Sequence, residues 1–256
     1  MIANYHAHTH RCRHATGREE DYVNRAMEGG LQIFGFSDHT PYWFPGEYYS
    51  TYRMYPDQLE DYCETVLALK KRYVNQIQVL LGLEVEYYPA YFDDLMARLR
   101  DTPVEYMILG QHFVGNEIGE HYSGWSTDQK GLLTRYCDQT MEAMQTGLFT
   151  YLAHPDLMYI QTDDKFYKEQ MHRLCREAKS CRIPLEINLA GMRIGKNYPD
   201  IRFWEVAAEE GNQVVIGCDA HSTEQAWDPV TEALALEMVK NLGLDLLEEV
   251  ELRPIR

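Results

Sequence analysis

The sequence predicts an α/β fold, a parallel sheet covered by helices and either doubly wound or closed into a barrel. Three observations carry that expectation. Seven short apolar runs alternate with segments whose apolar residues recur at three- and four-residue spacing. Apolar residues make up 45% of the 256-residue chain, enough for a large core. No Pro/Gly/Ser linker, low-complexity tract or internal repeat divides the sequence, so one domain over residues 1–256 is expected.

The elements follow in order. The first strand, IANYH (2–6), runs into the stretch NYHAHTHRCRHATG (4–17), which holds four of the chain's ten histidines. REEDYVNRAMEGG has helical spacing and closes on two glycines, a helix stop. The second strand, LQIFGFSDH (31–39), is followed by TPYWFPGEYYSTYRMYPD, a long irregular stretch of the kind used as a lid or binding loop. The helix DQLEDYCETVLALKKRYVN leads to the strand IQVLLGLEVE (77–86), and YFDDLMARLRD to the strand EYMILGQHF (105–113). The helix TDQKGLLTRYCDQTMEAMQTG precedes FTYLAHP (149–155), and DDKFYKEQMHRLCREAKSC precedes IPLEINL (183–189). The helix IRFWEVAAEEGN leads to the last strand, NQVVIGCDAH (212–221), and TEALALEMVKNLG forms a final helix.

Charge and composition narrow the function classes. A formal net charge of -16 disfavours nucleic acid or an anionic membrane as a partner, since both repel such a surface. An anionic substrate then requires a local reversal of the field, which bound divalent cations supply. No apolar run approaches the roughly eighteen residues of a membrane span, and MIANYHAHTH has no basic region followed by an apolar stretch, so a cytoplasmic protein is expected. Cys12, Cys63, Cys137, Cys175, Cys181 and Cys218 show no CxxC pair and read as reduced thiols. Nothing in the helical patterns specifies an oligomeric state.

The chemistry lies at the strand ends. His6 and His8 close the first strand, His39 the second, Glu84 the third, His112 the fourth, His154 the fifth, and Asp219 with His221 the seventh. In a parallel α/β sheet or barrel the C-terminal strand ends share one rim, where active sites are built. With His14 just beyond the first strand, seven imidazoles and two carboxylates converge there. His6 and His8, at i and i+2, point to one face and can reach one ion. Such mixed ligands suit zinc, iron or manganese, and nine are too many for one ion. Two or three ions bridged by a carboxylate such as Glu84 satisfy them, an arrangement suited to phosphoester hydrolysis.

The motifs HAHTHRCRHA, FSDHTP, GLEVEY, GQHF, LAHPDL, EINLAGMR and GCDAHS, in this order and spacing, resemble the polymerase and histidinol phosphatase (PHP) family, specifically its histidinol-phosphatase branch. The resemblance covers nearly the whole chain. It implies a distorted (β/α)7 TIM-like barrel with a trinuclear metal centre. Carried over by position, it places His6, His8, Glu84 and Asp219 on one ion, Glu84, His112 and His154 on a second, and His14, His39 and His221 on a third. Arg193, in LAGMRIGKNYP, matches the branch's phosphate-binding arginine, and Lys196 is a weaker second candidate. The run HPDLMYIQTDD lacks the further basic residue that would help Arg193 with the phosphate.

Other polar residues are read as bystanders or supports. His10, His121 and His172 are expected outside the site, with His121 in a loop and His172 on a helix, and Cys12, although able to ligate, as a small buried rim residue. Glu86 shares the strand face of Glu84 and is a candidate acceptor behind a ligand. Asp38 and Asp156 either orient an imidazole or cap a helix, and Asn188 points to the rim or into the barrel wall.

The implied reaction is metal-dependent hydrolysis of a phosphomonoester, L-histidinol phosphate, to L-histidinol and phosphate. A hydroxide bridging two ions attacks phosphorus in line while the cations and Arg193 hold the equatorial oxygens. A bound water, Asp219 or His221 protonates the leaving oxygen. The Tyr- and Trp-rich loop suits a substrate carrying an amine and an imidazole. The alternatives are another small phosphomonoester, an amidohydrolase-like hydrolase, and a non-catalytic module of a polymerase. An amidohydrolase usually wants eight strands and a bridging lysine, where this chain offers seven and Glu84.

Overall fold

A computed structural model of the chain describes residues 1–195 and 197–255. In chain order the elements are β1 (Ala3–Asn4), α1 (Glu19–Glu28), β2 (Ile33–His39), α2 (Leu59–Arg72), β3 (Gln78–Val85), α3 (Phe92–Leu99), β4 (Tyr106–Leu109), β5 (Phe113–Val114), β6 (His121–Tyr122), α4 (Lys130–Gln145), β7 (Phe149–Leu152), α5 (Asp164–Ser180), β8 (Leu185–Asn188), α6 (Leu189–Ile194), α7 (Ile201–Glu210), β9 (Gln213–Gly217), α8 (Pro229–Leu242) and β10 (Asp245–Leu246). Eight strands form one parallel sheet in the order β1-β2-β3-β4-β7-β8-β9-β10, while β5 and β6 form an antiparallel hairpin.

The sheet curls until its ends meet. A parallel bridge joins Ala7 to Ala220, and His8 N donates to Ala220 O at 2.9 Å, so the chain after β1 is seamed to the chain after β9. At the other end of the strands β10 pairs with the first residues of β9. The product is a distorted α/β barrel of seven strands plus one short addition.

Strands buried on both faces explain the near-continuous apolar runs: β2 is buried throughout, and β3 at every residue after Gln78. Their two faces feed separate cores. Tyr5, Leu80, Tyr106, Ile108, Tyr151 and Val215 pack together within the barrel, apart from the larger core between sheet and helices. The Tyr106 hydroxyl donates to Tyr5 O at 2.8 Å and Phe36 O at 3.1 Å, so this tyrosine-rich plug also joins strands across the interior.

All seven sequence-derived strands and helices are present. Three further pieces are new: α6, the β5–β6 hairpin and β10. Each is six residues or fewer, too short for a periodic signal. His121 therefore lies on a strand, where the sequence reading placed it in a loop. Helix α6 is fixed at both ends: the Asn188 side chain accepts from Gly191 N, and Gly195 closes it in the left-handed conformation at φ 62°. Among the described residues no helix is long and apolar enough to cross a membrane.

Candidate metal centre and its cavity

Period-two alternation sets which side chains rise above the tyrosine plug. On β3 the residues after Leu80 on the same face are Gly82, Glu84 and Glu86; on β8 they are Glu186 and Asn188; beyond Val215 of β9 come Gly217 and Asp219. The carboxylates need room at this level. A Cβ on Gly110 would fall on the Glu84 carboxylate, and one on Gly217 on that of Glu186. Glycine at these strand ends is thus a matter of close approach.

The nine residues singled out by sequence come together around Glu84. Its Oε1 lies 2.8 Å from His154 Nε2 and 3.6 Å from the Nε2 atoms of His6 and His112. Its Oε2 lies 2.9 Å from His39 Nδ1 and 3.6 Å from His8 Nε2. Asp219 Oδ1 stands 3.1 Å from His8 Nε2 and 3.6 Å from His6 Nε2. His14 and His221 meet through their Nε2 atoms at 3.0 Å. Ligand atoms close enough to share an ion include those of His6, His8 and Asp219, of His6, Glu84 and His154, and of His14, His39 and His221. Ligand candidates on β1, β4, β7 and β9 sit just past the strand ends, in irregular backbone. His154, at φ 30°, and Asp219, at φ 45°, occupy the strained left-handed region that functional sites maintain.

Orphaned buried atoms test whether the cluster fits a cation. His6 Nε2, His8 Nε2, His39 Nδ1, Glu84 Oε2 and Asp219 Oδ1 are buried without a hydrogen-bond partner. Buried polar atoms are rarely left so, and five aimed at one region fit divalent metal, whose lone-pair donors they are.

The electrostatics of the chain alone agree. Burial disfavours imidazolium at His6, yet Glu186, Asp219 and Glu84 outweigh it and raise its pKa well above the ordinary value. His8 is likewise opposed by burial but lifted to about 9 by Asp219 and Asp38. Burial works against ionisation of Glu84 too, and the imidazoles of His112, His39 and His6 reverse it, holding the carboxyl well below its usual range. Burial together with the charge of His8 drives His221 down to about 3 and His39 well below its ordinary value, leaving both neutral.

Behind the cluster stands a layer of supports. His6 Nδ1 donates to Glu186 Oε1 at 2.8 Å, His112 Nδ1 to Glu86 Oε1 at 2.8 Å, and His14 Nδ1 to Cys12 O at 2.8 Å. Each bond selects the tautomer that leaves Nε2 as the inward lone pair. Asp38 lies 3.4 Å from His8 Nδ1 and accepts from the Thr9 hydroxyl, so it serves an imidazole. Asp156 instead accepts from Asp200 N at 2.8 Å and Trp204 Nε1 at 2.9 Å, bracing α7. Asn188 points inward, its Nδ2 donating to Glu186 Oε2 at 2.9 Å and Asp219 Oδ2 at 3.1 Å.

Sequence reasoning missed Glu186 and the anchoring of the long loop. Glu186 also accepts from Tyr151 Oη at 3.2 Å and His154 N at 3.1 Å. A lone acid inside the strand LEIN was the available signal. From the loop after His39, buried Arg53 reaches Glu86 Oε2 at 3.0 Å, Glu117 Oε2 at 2.6 Å and Thr40 O at 2.7 Å. The loop is thereby tied to the acceptor behind His112.

A cavity of about 590 Å³ opens above the cluster. His14, His39, Glu84, His112, Asp219 and His221 line its floor, and Tyr52, Phe113, Tyr122, Tyr198 and Ile194 its walls. Arg193 lines it as well. Its Nη2 donates to Cys218 O at 2.7 Å and Asp219 O at 3.2 Å, while Nη1 lies 3.5 Å from Asp228 Oδ2 as an ion pair. Lys196 lies outside the described residues. His10 pairs with Glu19 and His172 with Glu210, both away from the cluster. Cys12 is buried, as the sequence suggests, and its thiol comes close enough to His8 and His221 to share an ion.

Comparison with known proteins gives a consistent set of relatives. A model of the PHP domain matches residues 4–190. A probable histidinol-phosphatase of Deinococcus radiodurans is 28% identical over 232 residues, covering 86% of each chain. A probable histidinol-phosphatase of Schizosaccharomyces pombe is 27% identical over 252 residues, 88% of this chain and 82% of its own. The crystal structure of histidinol phosphate phosphatase from Lactococcus lactis, complexed with zinc, L-histidinol and phosphate, superposes with a TM-score of 0.75 at 18% identity, covering 99% of this chain and 97% of that one, and so shares its fold.

Proposed function

The chain belongs to the PHP domain family, and from that premise we propose that it is a metal-dependent phosphomonoesterase that hydrolyses L-histidinol phosphate to L-histidinol and phosphate. One observation carries the reading: a single cavity joins a cluster of orphaned imidazole and carboxylate atoms to the guanidinium of Arg193. The first is suited to cations and the second to the anion they activate. The relatives named for histidinol phosphate, spanning most of this chain, support the substrate.

His6, His8, Glu84 and Asp219 would hold one ion, Glu84, His112 and His154 a second, and His14, His39 and His221 a third, drawn from zinc, iron or manganese. Bound there, divalent cations supply Lewis-acid charge at the phosphoryl oxygens and lower the pKa of water toward neutrality. The remaining work falls to the chain. Glu186, Asp38 and Glu86 hold His6, His8 and His112 by Nδ1, which keeps three Nε2 lone pairs directed inward. Arg193, pinned by Nη2 to two carbonyls and by Nη1 to Asp228, lines the cavity with a guanidinium that would meet a phosphate oxygen, where charge accumulates as the ester bond breaks. The aromatic walls enclose an imidazole-bearing alcohol and limit the entry of bulk water.

Phosphate release from histidinol phosphate, measured beside sugar, nucleotide and amino-acid phosphates, tests this reading. Histidinol phosphate is expected to lead in kcat/KM by at least about tenfold, roughly 1.4 kcal/mol. A smaller lead removes the substrate assignment and leaves a general phosphomonoesterase. Activity surviving exhaustive chelation removes the metal-dependent reaction itself.

A further inference from the structure

Arg193 is the one cation lining the cavity among the described residues. A phosphate monoester dianion offers three non-bridging oxygens, and the run HPDLMYIQTDD holds no basic residue to share them. The cavity has another polar lining residue that no ligand set claims. Gln225, on the short 3-10 turn Thr223–Ala226, accepts from His221 N through Oε1 at 2.7 Å.

That bond decides the orientation of the amide. A backbone N–H can only donate, so the atom facing it must be the oxygen, and Nε2 with its two hydrogens is turned away from His221 N. Gln225 is half-buried and lines the same space as Arg193, His221 and His14. The chain folds this way because Ser222 leads into the turn from beyond β9, carrying Gln225 back over the residue that ends the metal cluster. A neutral donor suits the position. A second cation would stand beside imidazoles gathered for metal, while an amide adds a hydrogen bond without adding charge to that repulsion.

We propose that Gln225 is a phosphate-contacting residue that acts with Arg193, its Nε2 donating to a phosphoryl oxygen while its Oε1 remains fixed on His221 N. The proposal rests on the phosphomonoesterase reading and names the second anchor of that substrate's phosphate.

Gln225→Glu separates this role from a structural one. The carboxylate keeps the acceptor for His221 N and the side-chain shape, but it places an oxygen where the donor stood. With metal-loaded protein and inorganic phosphate as the probe, calorimetry is expected to show the Kd for phosphate rising about ten- to a hundredfold, the range for a lost hydrogen bond to a charged group. KM for the phosphomonoester should rise in parallel, with metal content unchanged. Gln225→Met, which removes donor and acceptor but adds no charge, should weaken phosphate binding less than Gln225→Glu. Phosphate binding within about twofold of wild type in Gln225→Glu overturns the proposal. So does a loss of bound metal that accounts for the weakened binding, since the residue then acts only through His221. If the wild-type protein itself neither binds phosphate nor releases it from esters, the phosphomonoesterase reading fails first and this inference with it.

Discussion

Glu186 offers the sharpest test of how the barrel interior supports the site. Four donors converge on its carboxylate: His6 Nδ1 at 2.8 Å and Tyr151 Oη at 3.2 Å on Oε1, Asn188 Nδ2 at 2.9 Å and His154 N at 3.1 Å on Oε2. Glu186→Gln keeps the shape and removes one acceptor. Whichever way the amide turns, its NH2 faces two buried donors. Leaving a buried donor unpaired costs about 1–3 kcal/mol, so the pair costs about 2–6 kcal/mol of folding stability. For a chain of this size each kcal/mol moves Tm by roughly 2–4 °C, which gives a fall between roughly 4 and 24 °C. With the NH2 turned toward His6, that imidazole also loses the acceptor that fixes its tautomer, and such losses weaken metal binding about ten- to a hundredfold. Circular dichroism melts in chelator and competition against a chromophoric chelator read the two effects. Tyr151→Phe is the control, because it deletes one donor and leaves the acceptor satisfied, at about 1 kcal/mol or less. A Glu186→Gln variant with Tm within about 2 °C of wild type and metal affinity within twofold would refute the assignment of Glu186 as the anchor of His6.

Three further outcomes follow from buried charge. His8 is raised to about 9, and His6 and His154 are raised as well, so the chain alone carries protons on groups that must be neutral to ligate metal. Metal loading at pH 8 should therefore release protons, and apparent affinity should climb as pH rises from 6 toward 9; an affinity flat across that window would contradict the pairing described here. The same shifts favour the folded chain below the ordinary histidine pKa of 6.5, and that contribution is lost as pH rises through about 9. Arg53→Met strips the partner from Glu86 and Glu117, both buried, and should cost about 3–5 kcal/mol. Thermal melts in chelator measure it, and an unchanged Tm would mean that the loop is held by its aromatic contacts instead.

What the sequence made legible and what it hid divide along a physical line. Strands buried on both faces leave long apolar runs, so their C-terminal ends and the polar residues there could be read directly, from His39 after FGFSD to Asp219 after VVIGC. The supports were harder. Glu86 was legible because alternation ties it to Glu84, two residues away on one strand. Arg53 and Glu117 were not, because their pairing joins two loops that carry no period at all. Gln225 lies four residues past His221 in a turn whose course depends on how β9 meets β1, a long-range fact without a local signature. Helix α6 escaped for the opposite reason: its cap, Asn188, is also the last residue of β8, so no turn residue separates the two elements.

The seam between Ala7 and Ala220 also sets an order of events during synthesis. Neighbours β1 to β4 pair in the sequence in which they are made, so the first half of the sheet can form while the chain is still emerging. His6 and His8 are among the first residues to appear, whereas Asp219 and His221 follow only after the seventh barrel strand. The two ends of the candidate ligand set therefore meet only when the seam closes. An ion held by residues from both ends would tie them together and, by binding only the closed barrel, stabilise it by mass action.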